Sequence, residues 1–263
     1  VGPEGVARQL DLARAYATHV PDARVEVVVF RRYAQRVFGD FRPADKLDHA
    51  LASPLTRKRQ DVELKIHAGL EAEPRSKVAQ NYVRLSSIGK CPRALWALRQ
   101  GVPEERSPFA GPWGRALMTF SIGHHVEVAV IEWLRAAGYR VEEFDQFGDQ
   151  WTVRMPGGIG VGHTDGMILI DGEWHLLEIK TAKAKKFDEL IKVESYAAWN
   201  PGYGDQIQGY MGASHDTEGV QSMDDTLAVV VCKDDSRLYS ELIRFSPEKY
   251  EELKERARLA LGE

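Results

Sequence analysis

The sequence predicts a mixed α/β (α+β) fold in which a central mixed β-sheet is flanked by helices. A long helical pattern runs from about residue 115 to 137, and a series of strand-like segments follows it. Helix and strand patterns then alternate toward the end of the chain. This order of helix, antiparallel strands and helix–strand alternation is typical of a mixed sheet covered by helices.

The predicted elements follow from periodicity and from turn residues. Apolar residues at helical spacing indicate the long helix, and Gly138 ends it. A period of two then predicts strands over 139–144, 151–155, 160–170 and 173–181. Helices are predicted near 184–198 and 204–215, strands over 226–232 and 237–245, and a closing helix with Pro247 in its first turn.

The N-terminal part carries the weakest pattern. Residues 1–80 are predicted to form a mostly helical extension, and residues 81–263 the main domain. Within the extension, the apolar run Val25–Phe30 fits either a strand or a buried helix. A loop rich in proline and glycine is predicted over 102–114.

Composition narrows the class of protein. A chain of 263 residues with 43% hydrophobic residues can bury one sizeable core. Its net charge of −4 gives no global basic signature, so any nucleic-acid binding needs local positive charge. The only cysteines, Cys91 and Cys232, are too few for a disulfide framework or a four-thiolate metal site. We therefore expect a cytoplasmic protein, without membrane association because no apolar stretch is long enough to span a bilayer.

Positive charge is concentrated between residues 75 and 99. This segment lacks Asp and Glu but contains Arg75, Lys77, Arg84, Lys90, Arg93 and Arg99. Such a run is either a solvated surface or a phosphate-binding surface. Within it, the segment from Ser87 to Trp96 predicts a helix capped by Ser87, with Pro92 in its first turn. The amides and basic side chains of that helix start are suited to a phosphate.

A hairpin in the middle of the chain brings acidic residues together. Asp171-Gly172 between two apolar runs is a strong signal for a two-residue turn. In that register Asp165 lies opposite Glu178, with Cβ atoms about 4.5–5.5 Å apart. The same register places His163 opposite Lys180. A longer or bulged turn would shift this pairing by one residue.

Two carboxylates beside an ammonium group suggest a metal site. Opposed acids on a strand pair repel each other unless a cation compensates, and oxygen ligands favour Mg²⁺ or Mn²⁺ over zinc, although His163 leaves zinc open. A bound divalent ion with Lys180 nearby is suited to phosphodiester hydrolysis. The alternative is an Asp-Glu-Lys ladder on an exposed hairpin.

The order Asp165, hairpin, Glu178-Ile179-Lys180 resembles the D…(D/E)-x-K signature of the PD-(D/E)XK nuclease superfamily, in its RecB-like, phage lambda-type exonuclease branch. The resemblance covers about residues 84–245 and implies a restriction-endonuclease-like core. It also implies that Asp165, Glu178 and Lys180 are catalytic, and that Asp165, Glu178 and Ile179 hold one or two Mg²⁺ or Mn²⁺ ions.

Two companion motifs strengthen the resemblance. The segment Gly123-His124-His125-Val126-Glu127 resembles the G-x-x-x-(H/E) element of this branch, which implies that Glu127 is catalytic and contacts the metal. A solvated helix acid is the alternative, and His124 and His125 rank below Glu127. Gln206 and Tyr210 resemble the Q-x-x-x-Y motif, which implies contact with a nucleotide or with the surroundings of the lysine; an ordinary polar stripe is the alternative.

The Ser87–Trp96 segment resembles the S-x-x-x-C-x-R stretch that precedes the core of this branch. The resemblance implies that Ser87 and Arg93 bind nucleic acid, with Arg93 on a terminal phosphate, and Lys183 is a further candidate contact. No iron–sulfur cluster is expected, because Cys91 lacks partner cysteines. A buried Cys91 is predicted instead.

The resemblance implies a metal-dependent DNA exonuclease that hydrolyses phosphodiester bonds from DNA ends in recombination or repair. Its implied partners are linear DNA ends, including 5′-phosphorylated ends, a second copy of the chain, and a single-strand annealing protein. The implied setting is cytoplasmic, with a phage-encoded origin left open. Two alternatives stay open. One is a sequence- or structure-specific endonuclease of the same superfamily, and the other is a catalytically inactive nucleic-acid-binding protein.

Overall fold

The computed structural model describes residues 54–72, 80–102 and 113–262. Val25–Phe30, Arg75, Lys77 and most of the predicted 102–114 loop lie outside these residues. The chain divides into two compact units, one of residues 1–73 and 112–115 and the other of 74–111 and 116–263. The predicted domain boundary at residue 80 stays a prediction.

The described part of the first unit is helical. Helix α1 spans Pro54–Ala72, and the first residues of helix α3 belong to the same unit. The backbone N–H of Gly114 donates a hydrogen bond to Glu71 Oε1. That bond joins the end of α1 to the start of α3.

The second unit contains the sheets and most of the helices. Its strands are β1 Val83–Arg84, β2 Arg140–Glu142, β3 Thr152–Arg154, β4 Gly160–His163, β5 Gly166–Ile170, β6 Glu173–Ala182, β7 Asp225–Cys232 and β8 Leu238–Arg244. Its helices are α2 Pro92–Arg99, α3 Trp113–Ala136, α4 Ala184–Val193, α5 Tyr196–Trp199, α6 Pro201–Asp216 and α7 Pro247–Leu261. Short 3-10 turns cover Leu85–Ser87 and Pro156–Gly158.

The larger sheet is mixed, as predicted. Its five strands have the order β2-β5-β6-β7-β8, with β6 and β7 parallel and the other pairs antiparallel. A separate three-stranded sheet has the order β1-β4-β3. The predicted fold class is therefore confirmed, although the strands divide between two sheets.

The two faces of the larger sheet carry different helices. Val130 and Ile131 of α3 pack on one face, against Leu177 and Ile179 of β6. The opposite face, which includes Leu176, packs into the main core with residues of α4, α6 and α7. Because side chains alternate along a strand, Glu178 points to the same face as Leu176, toward α6.

The β5–β6 hairpin has the predicted turn and register. Ile170 pairs with Glu173, and the ladder continues to Gly166 opposite Leu177. Asp171 and Gly172 form the two-residue turn with φ angles of 50° and 89°. Positive φ at both positions is the geometry that the Asp-Gly pair favours in hairpins.

The predicted strand over 160–170 is wrong as a single element. The chain leaves β4 after His163 and enters β5, in the other sheet, at Gly166. His163 consequently pairs with Thr152 of β3 and does not lie opposite Lys180. Gly166 has φ 153°, and a Cβ atom there would lie 3.1 Å from the carbonyl oxygen of Glu142. Glycine therefore permits the change of sheet.

Three smaller predictions also need correction. The helix over 184–198 is interrupted at Glu194, whose φ is 50°, so it divides into α4 and α5. Ser87 does not cap a helix, because it lies in a 3-10 turn and α2 begins at Pro92 after Cys91. Cys91 is exposed instead of buried, since the N-cap position precedes the packed face of α2. Among the described helices, none is long and apolar enough to cross a membrane.

Candidate active site

The site begins where the chain passes from one sheet to the other. Asp165 directly precedes β5, just beyond the last pair of the hairpin ladder. Its Oδ2 accepts a hydrogen bond of 2.7 Å from the backbone N–H of Ile179. The ladder has the predicted register up to Gly166 opposite Leu177, one pair before the two acids, so the direct opposition of Asp165 and Glu178 stays a prediction. The two acids are still brought to the same end of the hairpin.

Glu178 is the most buried acid of the site. Its side chain is 1% exposed, and Oε1 accepts a hydrogen bond of 2.8 Å from Gln206 Nε2. The same oxygen forms an ion pair with Lys180 Nζ. The other oxygen, Oε2, is buried and has no hydrogen-bond partner among the residues that the structure describes. A buried carboxylate oxygen without a hydrogen bond raises the free energy of the folded protein, so a cation bound to this atom would be stabilising.

Lys180 contacts three parts of the site. Besides Glu178, its Nζ donates to the carbonyl oxygen of Ile179 at 3.3 Å and lies 5.6 Å from the centre of the Tyr203 ring. Burial lowers the pKa of Lys180, but the negative charges of Glu178 and Asp165 outweigh this and raise its pKa above the ordinary value. Lys180 therefore carries a proton at neutral pH.

The acids of the site share an unfavourable charge environment. Burial raises the pKa of Glu178 to about 7, against the opposing effect of Lys180, and Asp165 raises it further. Burial also raises the pKa of Asp165, although Lys180 and the N–H of Ile179 oppose that shift. Glu127 has a raised pKa because of burial and the charge of Asp165. One lysine does not compensate these three carboxylates.

Glu127 approaches the site from α3. Its side chain is 22% exposed, and its Oε2 lies 3.7 Å from Nδ1 of His124. His125 instead contacts the carbonyl oxygen of Ser121 at 2.8 Å. The two adjacent histidines therefore point in different directions, and only His124 is engaged with Glu127.

The side chains fit a hard divalent cation. Asp165 and Glu178 supply carboxylate oxygens, Oε2 of Glu178 has no donor, and the carbonyl oxygen of Ile179 lies beside them. Within residues 54–72, 80–102 and 113–262, no three His, Cys, Asp or Glu side chains are grouped as a metal site. The candidate ligands thus consist of two side chains and one backbone carbonyl. His163, whose Nδ1 contacts Thr152 Oγ1 at 2.9 Å, does not join them.

Gln206 and Tyr210 lie beneath the acids. Gln206 Nε2 donates to Glu178 and, at 3.3 Å, to the hydroxyl oxygen of Tyr210. Both residues are buried, and a Cβ atom at Gly162 would lie 2.3 Å from the Tyr210 ring, so the ring packs directly on β4. In this structure the pair holds Glu178, while direct contact with DNA stays a prediction.

The predicted DNA-binding residues outside the acidic site differ in solvent exposure. Arg93 on α2 and Lys183, directly before α4, are exposed, whereas Ser87 is partly buried. The loop before α2 packs closely on the start of α6, because a Cβ atom at Gly89 would lie 2.7 Å from Cα of Gly202. The roles of Arg93, Lys183 and Ser87 in binding DNA stay predictions.

The sequence reasoning missed an aromatic cluster beside Lys180. Tyr196, Trp199 and Tyr203 have ring centres 5.9–6.1 Å apart. The spacing of three and four residues is visible in the sequence and places such side chains on one side of a continuous helix. The signal was obscured because a break at Asn200 separates α5 from α6.

Comparisons with known proteins give remote structural likenesses. A structure of LHK-Exo in complex with dAMP has 18% identity and a TM-score of 0.49, over 71% of this chain and 89% of that chain. The alkaline exonuclease LHK-Exo from Laribacter hongkongensis has 16% identity and a TM-score of 0.48, over 70% and 88%. A phage-related exonuclease from Haemophilus somnus 129PT has 16% identity and a TM-score of 0.44, over 69% and 92%.

Sequence comparisons add no relative: no protein-family model and no curated protein matches this chain. The three structures are exonucleases by name, the class that the motifs resemble. At these identities and TM-scores they do not carry a function to this chain. The case for function therefore rests on the side chains of the site.

Proposed function

We propose that this chain is a divalent-metal-dependent deoxyribonuclease that removes nucleotides from the ends of linear DNA. One observation carries the proposal. Glu178 is buried, with one oxygen that receives no hydrogen bond from the described part of the chain, beside Asp165 and a protonated Lys180. Such a group is unfavourable as a purely structural element, and a hard cation on the acids would relieve it.

Asp165, Glu178 and the carbonyl oxygen of Ile179 would hold Mg²⁺ or Mn²⁺. When bound, such an ion polarises a phosphoryl oxygen and makes a water molecule more acidic. Oxygen donors alone are the set that these ions prefer, and the contact of His163 with Thr152 in the other sheet weakens the case for zinc. Glu127 is a further candidate for contact with the ion or its water.

The residues of the chain then have separate tasks. Lys180, as an ammonium group, donates a hydrogen bond to a phosphate oxygen and stabilises the negative charge that develops there. Gln206 holds Glu178 through Oε1, and the N–H of Ile179 holds Asp165. Glu127, which keeps partial access to solvent, is placed to accept a proton from the attacking water.

The finer assignment to exonucleases is supported by the companion motifs around Glu127 and Gln206. Arg93 is proposed to bind a terminal phosphate, since its guanidinium group is exposed on α2 and suited to bidentate contact. A role in recombination or repair, a homo-oligomer and a single-strand annealing partner belong to the same proposal. They rest on the motif resemblance.

The central test is digestion of end-labelled linear DNA in Mg²⁺ or Mn²⁺, with and without a 5′-phosphate. Asp165→Asn and Glu178→Gln should each lower cleavage by more than about 100-fold, because they remove groups closer to the ion than outer-shell partners. Asp216→Asn is a matched control, because its carboxylate, at the last residue of α6, accepts a hydrogen bond of 2.7 Å from the Tyr250 hydroxyl. It should cleave like the wild type.

Two further arms decide among the alternatives. Covalently closed circular DNA should resist digestion, and equal cutting of circles and linear DNA would identify an endonuclease. Chelation of divalent ions should stop cleavage. Binding of DNA without cleavage under any of these ions would overturn the nuclease proposal in favour of an inactive binding protein.

A further inference from the structure

The three rings beside Lys180 form a layered group. Tyr196 is fully buried and stacks on Tyr203, with ring centres 6.0 Å apart and an angle of 27° between planes. Trp199 contacts both rings, at 6.1 and 5.9 Å. Trp199 and Tyr203 are each partly exposed, so the buried Tyr196 supports two rings that reach the surface.

The Trp199 ring is held by a backbone carbonyl, and Tyr203 stacks on Tyr196 from a capped helix start. The indole N–H of Trp199 donates to the carbonyl oxygen of Lys186 at 2.9 Å. The side chain of Asn200 accepts a hydrogen bond of 3.3 Å from the backbone N–H of Tyr203, which caps α6. Rings with fixed orientation lose little conformational entropy when a ligand binds.

One lysine lies beside these rings, and two more are exposed on the helix start whose backbone contacts Trp199. Lys180 Nζ lies 5.6 Å from the centre of the Tyr203 ring. Lys183 and Lys185 are exposed at the start of α4, the helix whose Lys186 holds Trp199. Aromatic rings interleaved with lysines are the surface that binds single-stranded nucleic acid, because bases stack while cations contact phosphates.

We propose that Trp199 and Tyr203 stack against a nucleobase of the substrate strand, next to the phosphodiester bond that the site cleaves. This inference rests on the proposed nuclease function. The 5.6 Å from Lys180 to the Tyr203 ring is on the scale of one or two stacked nucleotides, which are about 3.4 Å apart. A strand with its phosphate at Lys180 thus brings an adjacent base to the rings.

The test changes the base and the ring separately. Affinity for end-labelled oligonucleotides is measured by fluorescence anisotropy in an Asp165→Asn background, so that the DNA stays intact. One nucleotide at a time, counted from the end, is replaced by an abasic analogue. With both rings present, one abasic position should weaken binding by roughly ten-fold. Trp199→Leu or Tyr203→Leu should weaken binding of normal DNA similarly and remove the abasic effect.

Trp174→Leu is the matched control. Trp174 also carries a cation over its ring, Arg140 at 5.2 Å, but it lies six residues from Lys180 along β6, or about 20 Å. This variant should retain the full abasic effect. Trp199→Phe, which keeps a ring, should retain part of it. Thermal unfolding of each variant checks that the protein is folded.

Two results would overturn the inference: an abasic effect that persists in both leucine variants, or no abasic effect at any position with wild-type rings. Cleavage by the chain without the Asp165 substitution is measured in parallel. If the chain cleaves DNA but the abasic effect does not depend on the rings, the stacking inference is wrong and the nuclease proposal stands. If the abasic effect depends on the rings but the chain does not cleave DNA, the nuclease proposal is wrong and the binding surface stands.

Discussion

Among single residues, Glu178 makes the free energy of unfolding depend on pH, because its pKa is raised in the folded protein. In the metal-free protein its pKa is about 7, against an ordinary value of 4.5, chiefly because of burial. The folded state therefore binds a proton more tightly than the unfolded chain. Stability from this group is fully present below pH 4.5 and is lost as pH rises through 7. The shifts of Asp165 and Glu127 have the same sign.

We predict that Glu178→Gln reduces this loss of stability. With a chelator present, the wild type should lose on the order of 3 kcal/mol of unfolding free energy through Glu178 between pH 4.5 and 7.5, at about 1.4 kcal/mol per pKa unit. The glutamine variant should lose correspondingly less. Urea unfolding at several pH values measures both.

Glu189→Gln provides the contrast, because Glu189 is exposed and a hydrogen bond from Lys186 lowers its pKa. The Glu189→Gln variant should lose as much unfolding free energy between about pH 4.5 and 7.5 as the wild type. Identical pH profiles for the wild type and Glu178→Gln would contradict the placement of a strained acid at this position.

Two glutamines on α6 are predicted to separate activity from stability. Gln206 donates to the catalytic candidate Glu178, whereas Gln208 donates to the carbonyl oxygen of Arg244 at 2.8 Å and accepts from the N–H of Ser246 at 2.7 Å. Gln206→Leu should lower kcat/KM by about 10–100-fold in a folded protein. Gln208→Leu should cost about 1–3 kcal/mol of stability and leave cleavage at low temperature unchanged.

DNA digestion and urea unfolding of both variants measure the two effects. The reverse pattern, with activity lost only in the Gln208 variant, would show that Gln206 does not support Glu178.

At the scale of elements, the sequence predicts the hairpin turn and its register but not the point where the chain passes from one sheet to the other. The Asp171-Gly172 turn and the pairing of 166–170 with 173–177 follow from neighbouring residues, so the sequence was sufficient. The division of 160–170 between two sheets depends on β1 and β3, the strands that pair with β4, and not on the residues within the segment itself. The same local register brings Asp165 and Glu178 to one end of the hairpin, and the hydrogen bond from the Ile179 N–H to Asp165 is a contact that the pairing alone did not predict.

Two glycines are predicted to respond oppositely to alanine. A Cβ atom at Gly89 would lie 2.7 Å from Cα of Gly202, so backbone must move, at a cost of about 1–3 kcal/mol. That movement would disturb the first turn of α6, which carries Tyr203. Gly123 lies within α3 with nothing near its Cβ position, so alanine there should add about 0.5–1 kcal/mol.

Thermal or urea unfolding of Gly89→Ala and Gly123→Ala tests the pair. A neutral Gly89→Ala would show that the loop before α2 is not packed on α6. A destabilised Gly123→Ala would show that this glycine of the G-x-x-x-(H/E) element is needed for packing.

For the whole molecule, charge is a constraint on any binding of DNA. The chain has 39 acidic and 35 basic residues, so its net charge of −4 repels a polyanion at long range. Attraction must come from local groups such as Arg93, Lys180 and Lys183. Because each phosphate contact releases counterions, such binding depends steeply on salt.

We predict that Lys183→Gln weakens DNA binding and lowers the magnitude of the slope of log affinity against log salt by about 1. Lys254→Gln is the control, since its Nζ already pairs with Glu251 at 2.6 Å and lies over the Tyr250 ring. Its slope should match the wild type. Affinities of an uncleaved oligonucleotide over a range of salt concentrations measure the slopes. Equal slopes for Lys183→Gln and the wild type would place the DNA backbone away from the start of α4, the helix whose Lys186 carbonyl holds Trp199.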